Sequence, residues 1–213
     1  MTGRVADFRS NPFTFGRFVT TRRSGEGEPN PRAHPCERHT ERMPRPTPPD
    51  LRARLAEIFA ARDRANMRPT IEAFLGVLAE HPEDPEVLYE VGGSYDTAGE
   101  EEVAAGYYER SIDGGLAGDA LRRCLLQYGS TLRNLERFDD SLAVFARARA
   151  EFPESDSLRV FEAFTLHESG RSDAAVAMLV ELIADRLPTD ELRRYEPALR
   201  GNAGYLAERD ARH

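Results

Sequence analysis

From Leu51 onward the apolar positions recur with the 3.6-residue period of a helix, and almost no stretch alternates with the two-residue period of a strand. The pattern also repeats on a longer scale. Around Gly92, in VLYEVGGSYDTAGEEEVAAGYYERSI, the residues three, seven, twelve and sixteen places on are Tyr95, Gly99, Ala104 and Tyr108. Around Gly129 the same offsets hold Leu132, Glu136, Ser141 and Phe145, and around Ala163 they hold Leu166, Gly170, Ala175 and Leu179. The centres are 37 and 34 residues apart, the excess lying in the loop DGGLAGD. Each copy reads as two antiparallel helices. The expected division is a degenerate first pair over 51–84, which keeps Ile58, Ala61, Phe74 and Pro82, then repeats over 85–118, 122–155 and 156–188, and a C-terminal cap helix and tail over 189–213.

The recurring residues have physical reasons. A glycine inside a helix costs about 1 kcal/mol relative to alanine, so Gly92 and Gly129 imply a packing gain larger than that cost. The small residues Gly92, Gly129 and Ala163 are expected to let the second helix approach through Ala104, Ser141 and Ala175. Tyr95, Tyr108, Leu132, Phe138, Phe145, Leu166 and Leu179 would fill the space between pairs. Gly99 and Gly170 should end the first helices in left-handed caps. Glu136 stands where the middle copy needs such a glycine, so that turn should be strained or tightened by Asn134. Pro82 and Pro153 close the second helices. Thr189 should cap the last helix, with Asp190 and Glu191 in its first turn, and Pro197 should kink or break it.

These offsets resemble the tetratricopeptide repeat over about 51–183, and the stretch DELRRYEPALRGNAGYLAE is similar to the tail of the compact bacterial family called tetratrico peptide repeat, group 5. The resemblance implies an all-α superhelix of antiparallel helix pairs with a C-terminal capping helix. It also implies a non-catalytic protein–protein interaction module, an adaptor or scaffold, whose concave groove holds a peptide or helix. Some members clamp a chaperone's C-terminal carboxylate with cationic residues. Here Tyr89, Gly93, Gln127, Ser157 and Phe161 stand at the corresponding places, so that ligand is not implied.

Stacked pairs curve so that first helices line the inner side. Counted along those helices, Glu86, Tyr89, Glu90, Gly93 and Asp96 face the groove in one copy, Arg123, Leu126, Gln127, Ser130 and Arg133 in the next, and Val160, Phe161, Phe164 and His167 in the last. The candidate partner-binding residues are therefore Tyr89, Glu90, Asp96, Arg123, Leu126, Gln127, Arg133, Phe161, Phe164 and His167. The apolar patch from Leu126 through Phe161 and Phe164 marks a contact. Two occupants stay open: a segment of another protein, or the chain itself, as a homodimer whose groove is filled by its own tail or a second chain. The C-terminal cap lying over Phe161 and Phe164 is one form of the latter. Glu86, Glu90 and Asp96 favour a basic segment at one end, and Arg123 and Arg133 an acidic one further along.

Charge divides the chain. Of its 213 residues 29 are cationic, every one Arg, and 37 acidic, a net of -8. The first fifty residues hold nine Arg against six acids, a net of +3, and eight of the fourteen Pro. The other 163 hold 20 Arg against 31 acids, a net of -11. Residues 1–50 lack a repeating apolar face and are expected to be disordered. An alternative is that 1–42 are an over-extended start and the chain begins at Met43. A body at -11 makes nucleic acid a poor partner. No apolar run is long enough to span a membrane or to form a signal-peptide core, and two cysteines fit a reducing, cytoplasmic compartment.

Catalytic constellations are missing. Gly114, Gly115 and Gly118 read as an inter-repeat loop. His34, Cys36 and His39 lack the fourth ligand of a structural zinc site, so no metal or cofactor is expected. Cys124 reads as a small buried residue. His167 with Glu168 reads as a solvated helix end, and the paired acids Asp139 and Asp140 as complements to a helix dipole.

Overall fold

In the computed structural model, which describes residues 47–187 and 189–212, the helical period becomes nine helices and no strand among the described residues. They are α1 (Pro49–Ala60), α2 (Arg68–Glu80), α3 (Pro85–Thr97), α4 (Glu101–Asp113), α5 (Gly118–Asn134), α6 (Phe138–Glu151), α7 (Asp156–Glu168), α8 (Ser172–Arg186) and α9 (Asp190–Asp210). The readings made for 1–46, including the Met43 start and the His34, Cys36 and His39 group, lie outside the described residues, and the disorder expected for 1–50 does not hold at its end, where α1 already begins at Pro49.

Consecutive helices pair as hairpins. The first helices α1, α3, α5 and α7 approach one another in turn, while the second helices α2, α4, α6 and α8 stay apart. Such an arrangement bends the array so that first helices form the inner side. Asp84 starts α3 by accepting the backbone N–H of Glu86 and Val87 at 3.0 and 3.2 Å. It also accepts the Thr47 hydroxyl at 3.0 Å, which fastens the segment before α1 to the first repeat.

The glycine positions explain themselves by packing. A Cβ on Gly92 would lie 2.9 Å from the Tyr108 ring, and one on Gly129 would lie 2.7 Å from the Phe145 ring. Tyr108 and Phe145 have no exposed surface. The room left by the glycine is therefore taken by the aromatic ring sixteen residues on, not chiefly by the small residue twelve on. Ser141 does lie close, donating its hydroxyl to the Gly129 carbonyl at 2.7 Å. Of the large residues expected between pairs, Tyr95, Phe138 and Leu179 are only half-buried. Tyr95 instead stacks flat on Tyr107 at 5.7 Å.

The turns joining α3 to α4, α5 to α6 and α7 to α8 share one geometry, unlike the α1–α2 connection. Gly99 (φ 79°), Glu136 (φ 59°) and Gly170 (φ 86°) are left-handed. The next residue's N–H in each case returns to a carbonyl five places back: Glu100 to Tyr95, Arg137 to Leu132, Arg171 to Leu166. Asn134 does not tighten the middle turn, because its side chain accepts from Arg133 instead. Glu136 thus bears the left-handed cost that glycine avoids, and Glu136→Gly should stabilise the fold by about 0.5–1 kcal/mol in urea denaturation. An unchanged or lower midpoint would contradict this.

Pro82 and Pro153 follow α2 and α6 by two residues, as expected. Thr189 caps α9, its hydroxyl accepting the Leu192 N–H at 3.2 Å. Pro197 does not break α9, which runs unbroken from Asp190 to Asp210. The contacts with α8 lie beyond it, through Arg200–Asp185, Ala203 and Arg209–Asp173, and Pro197 itself is exposed, so its one missing backbone bond on the exposed side is tolerated. Cys124 is buried, and burial pushes its thiol up to about 12, which leaves it inert.

Candidate functional site

The inner side of the array is built by α1, α3, α5 and α7, because helical spacing brings every third or fourth residue to one face. At its N-terminal end two cavities adjoin. One of about 250 Å³ is lined by Arg52, Leu55, Phe59, Glu86, Tyr89, Glu90 and Arg123 among others. A smaller one of about 100 Å³ is bounded by Phe59, Arg62, Arg64, Thr70, Tyr89, Glu90 and Gln127 among others. Phe59, Tyr89 and Glu90 belong to both.

Glu90 is half-buried and makes no hydrogen bond or ion pair among the described residues. Burial pushes its carboxyl up to about 7, against the pull of Arg123 and Arg62. Glu86 is different, since the Arg52 guanidinium holds both of its oxygens at 2.9 and 2.8 Å. Arg62 lies 3.6 Å over the Phe59 ring and donates to the Phe59 carbonyl. This end therefore carries Arg52, Arg62, Arg64 and Arg123 beside Glu86 and Glu90, with Arg52 paired to Glu86 and Arg123 to Asp119 at 3.2 Å, which leaves Arg62 and Arg64 against Glu90. The expectation of a basic partner segment here has lost its footing.

The middle of the groove is knitted into the core. The Tyr108 hydroxyl lies 3.0 Å from Gln127 Oε1 and 3.3 Å from Asp96 Oδ2. The Thr131 hydroxyl lies 3.0 Å from Asp96 Oδ1 and 2.9 Å from the Gln127 carbonyl. Burial raises the pKa of Asp96 and these donors pull it back. Tyr89 is itself buried, in the cluster with Tyr108, Leu121 and Leu125, beneath Arg123 at 5.6 Å. Tyr89, Asp96 and Gln127 thus turn inward more than a count of helix faces implies. The closeness of α3 to α5 is the physical reason.

The C-terminal end keeps its apolar character. Phe161 and Phe164 meet edge to face, centroids 5.9 Å apart at 82°. Phe161 and Leu126 rest against the central cluster, while Phe164 is 45% exposed. Arg133 lies 5.9 Å over the Phe164 ring and pairs with Glu168 at 3.4 Å. His167 is exposed, but its Nδ1 is 3.1 Å from Ser172 Oγ, so it is drawn toward the start of α8. The helix α9 packs along α8 and makes no close approach to α7 among the described residues, so it does not cover Phe161 or Phe164.

Phe59, Arg52, Arg62 and Arg64 were not found by reading the sequence. They lie in or just after α1, where the repeat pattern is poorest, and only the excess of Arg there could have hinted at them. Nor did the pattern reveal a cleft of about 660 Å³ on the outer side, bordered by α6, α7, α8 and Ala207. Its floor holds the buried Glu162, paired with Arg149. Among the described residues no His, Cys, Asp and Glu cluster could hold a metal ion, and no helix is long and apolar enough to cross a membrane.

A family model described as tetratrico peptide repeat matches residues 85–201, more than half of the chain. A solved structure whose title names MamA AMB-1 is similar with a TM-score of 0.50 at 16% identity, over 62% of this chain and 88% of that one. At such identity the likeness speaks for the fold alone. No curated protein matches the sequence.

Proposed function

The chain belongs to the tetratrico peptide repeat family, and from that premise we propose that its inner groove binds an extended or helical segment of another protein, without catalysis. Repeats of this family generally mediate protein–protein interaction. The observation that carries the reading is the edge-to-face pair of Phe161 and Phe164, with Phe164 exposed on the inner helix beneath Arg133. An aromatic held in one orientation by a second ring and a guanidinium loses little freedom on binding, and such residues dominate interface energies. An apolar side chain of the partner seats on Leu126, Phe161 and Phe164. Acidic side chains of the same segment meet Arg62, Arg123 and Arg133.

Affinity capture with the whole chain, followed by titration of the recovered partner, tests this. Phe164→Glu should weaken the partner about tenfold or more while helicity by circular dichroism stays the same. Equal binding by Phe164→Glu and Phe161→Glu would remove the groove from consideration. Filling by the chain's own α9 has no support, because α9 stays away from α7. A second chain in the groove remains the other reading, and a partner that competes for Phe164 separates the two.

A further inference from the structure

Among the described residues eight large hydrophobic side chains are exposed, and six of them fall in α7–α9: Phe164, Val176, Ile183, Leu187, Tyr195 and Tyr205, each between 39% and 56% exposed. Their placement follows from the repeat. Val176 and Ile183 stand 34 residues after Leu142 and Arg149 of α6. Those two face the following pair, Leu142 packing on Ala163, Leu166 and Ala175 and Arg149 pairing with Glu162. In α8 the same two positions have no following pair. Nor does α9 take that role, for it lies along α8 without approaching α7.

The faces of α8 can be counted. Ala174, Met178 and Glu181 line the outer cleft on the side toward α6. Val176, Ile183 and Leu187, spaced seven and four apart, lie on the opposite side at 100° per residue. The three last helices thus form a layer with one side toward the array and one apolar side toward solvent. Phe164 sits under Arg133 in the inner groove and is not part of this side; the other five half-exposed side chains amount to on the order of 400 Å² of apolar surface, within the range of the largest patch on a typical monomer.

The opposite end of the array does not match it. Exposed positions on α1 and α2 include Arg54, Glu57, Arg68, Glu72 and Glu80, with ion pairs Arg54–Glu80 and Arg68–Glu72. Head-to-tail stacking would set an apolar face on a charged one. A two-fold arrangement sets the apolar face on itself and closes at two copies. It would bury on the order of 800 Å² of apolar surface, which reaches the floor for a specific interface once the polar rim is added.

We propose that a second copy of this chain docks face to face on the open side of the α7–α8–α9 layer, with Val176 and Ile183 central, leaving the inner groove free. This does not rest on the groove reading. Sedimentation equilibrium of the full chain should give twice 23.9 kDa. The double variant Val176→Glu with Ile183→Glu should raise the dissociation constant about a hundredfold or more, with helicity unchanged, because each carboxylate would lose water without gaining a partner. Leu187→Arg, at the exposed end of α8, should weaken the dimer without touching the core. Phe161→Glu, in the groove, should stay dimeric. A full chain of single mass at every concentration, a double variant that remains dimeric, or dissociation by Phe161→Glu alone would each overturn the proposal.

Discussion

Phe145→Ala should cost about 3–5 kcal/mol of folding stability, and in that background Gly129→Ala should change from harmful to helpful. Phe145 is wholly buried and its ring lies where a Gly129 methyl would be, at 2.7 Å from two ring carbons. In the parent chain the methyl must push a ring that the core already encloses, at about 1–3 kcal/mol. This exceeds the roughly 1 kcal/mol that alanine gains over glycine in a helix. Once the ring is gone the clash goes with it, the helical gain remains, and the methyl fills part of the cavity. Urea denaturation of the two single variants and the double variant measures the change of sign. If Gly129→Ala costs the same in both backgrounds, the ring is not the reason for the glycine.

The second large effect is in pH. The Glu90 carboxyl is pushed by burial from its ordinary 4.5 up to about 7. Between those values the folded chain holds a proton that the unfolded chain has released, so stability falls as pH rises through the window. The loss, complete above pH 7, is about 3 kcal/mol. Burial raises Asp96 and Glu162 too, which acts in the same direction, while Arg123 and Arg62 oppose the shift of Glu90 and Glu86 adds to it. Glu90→Gln should therefore be more stable than the parent chain at pH 8, close to it near pH 4, and less steep between, the remaining slope coming from Asp96 and Glu162. Denaturation midpoints across that range decide the matter. A slope undiminished by the substitution would place its origin elsewhere. A partner that neutralises Glu90 on binding would shift the same carboxyl, so proton uptake or release on complex formation reports whether this end of the groove is occupied.

Much of the fold was legible because it is local. The turn residues Gly99 and Gly170, the stops at Pro82 and Pro153 and the cap at Thr189 depend on backbone geometry within a few residues. The candidate site was less so. A helical count shows which side of α3 bears Tyr89 and Asp96, yet their burial depends on how near α5 lies, 35 residues away in the Asp96–Thr131 contact. Phe59 and Arg62 escaped the pattern altogether, since the first pair has drifted from the repeat.

The sequence by itself determined a stack of helix pairs of about 34 residues, the turns at Gly99 and Gly170, the stops at Pro82 and Pro153, the cap at Thr189 and the aromatic character of Phe161 and Phe164. Periodicity and chain stereochemistry suffice for that. Only the tertiary structure decided that Tyr108 and Phe145 occupy the room beside the glycines, that Arg52 neutralises Glu86 while Glu90 has no partner, and that α9 flanks α8 and leaves Val176 and Ile183 open. These outcomes turn on distances between residues far apart in the chain, which are set by how whole helix pairs lean on one another.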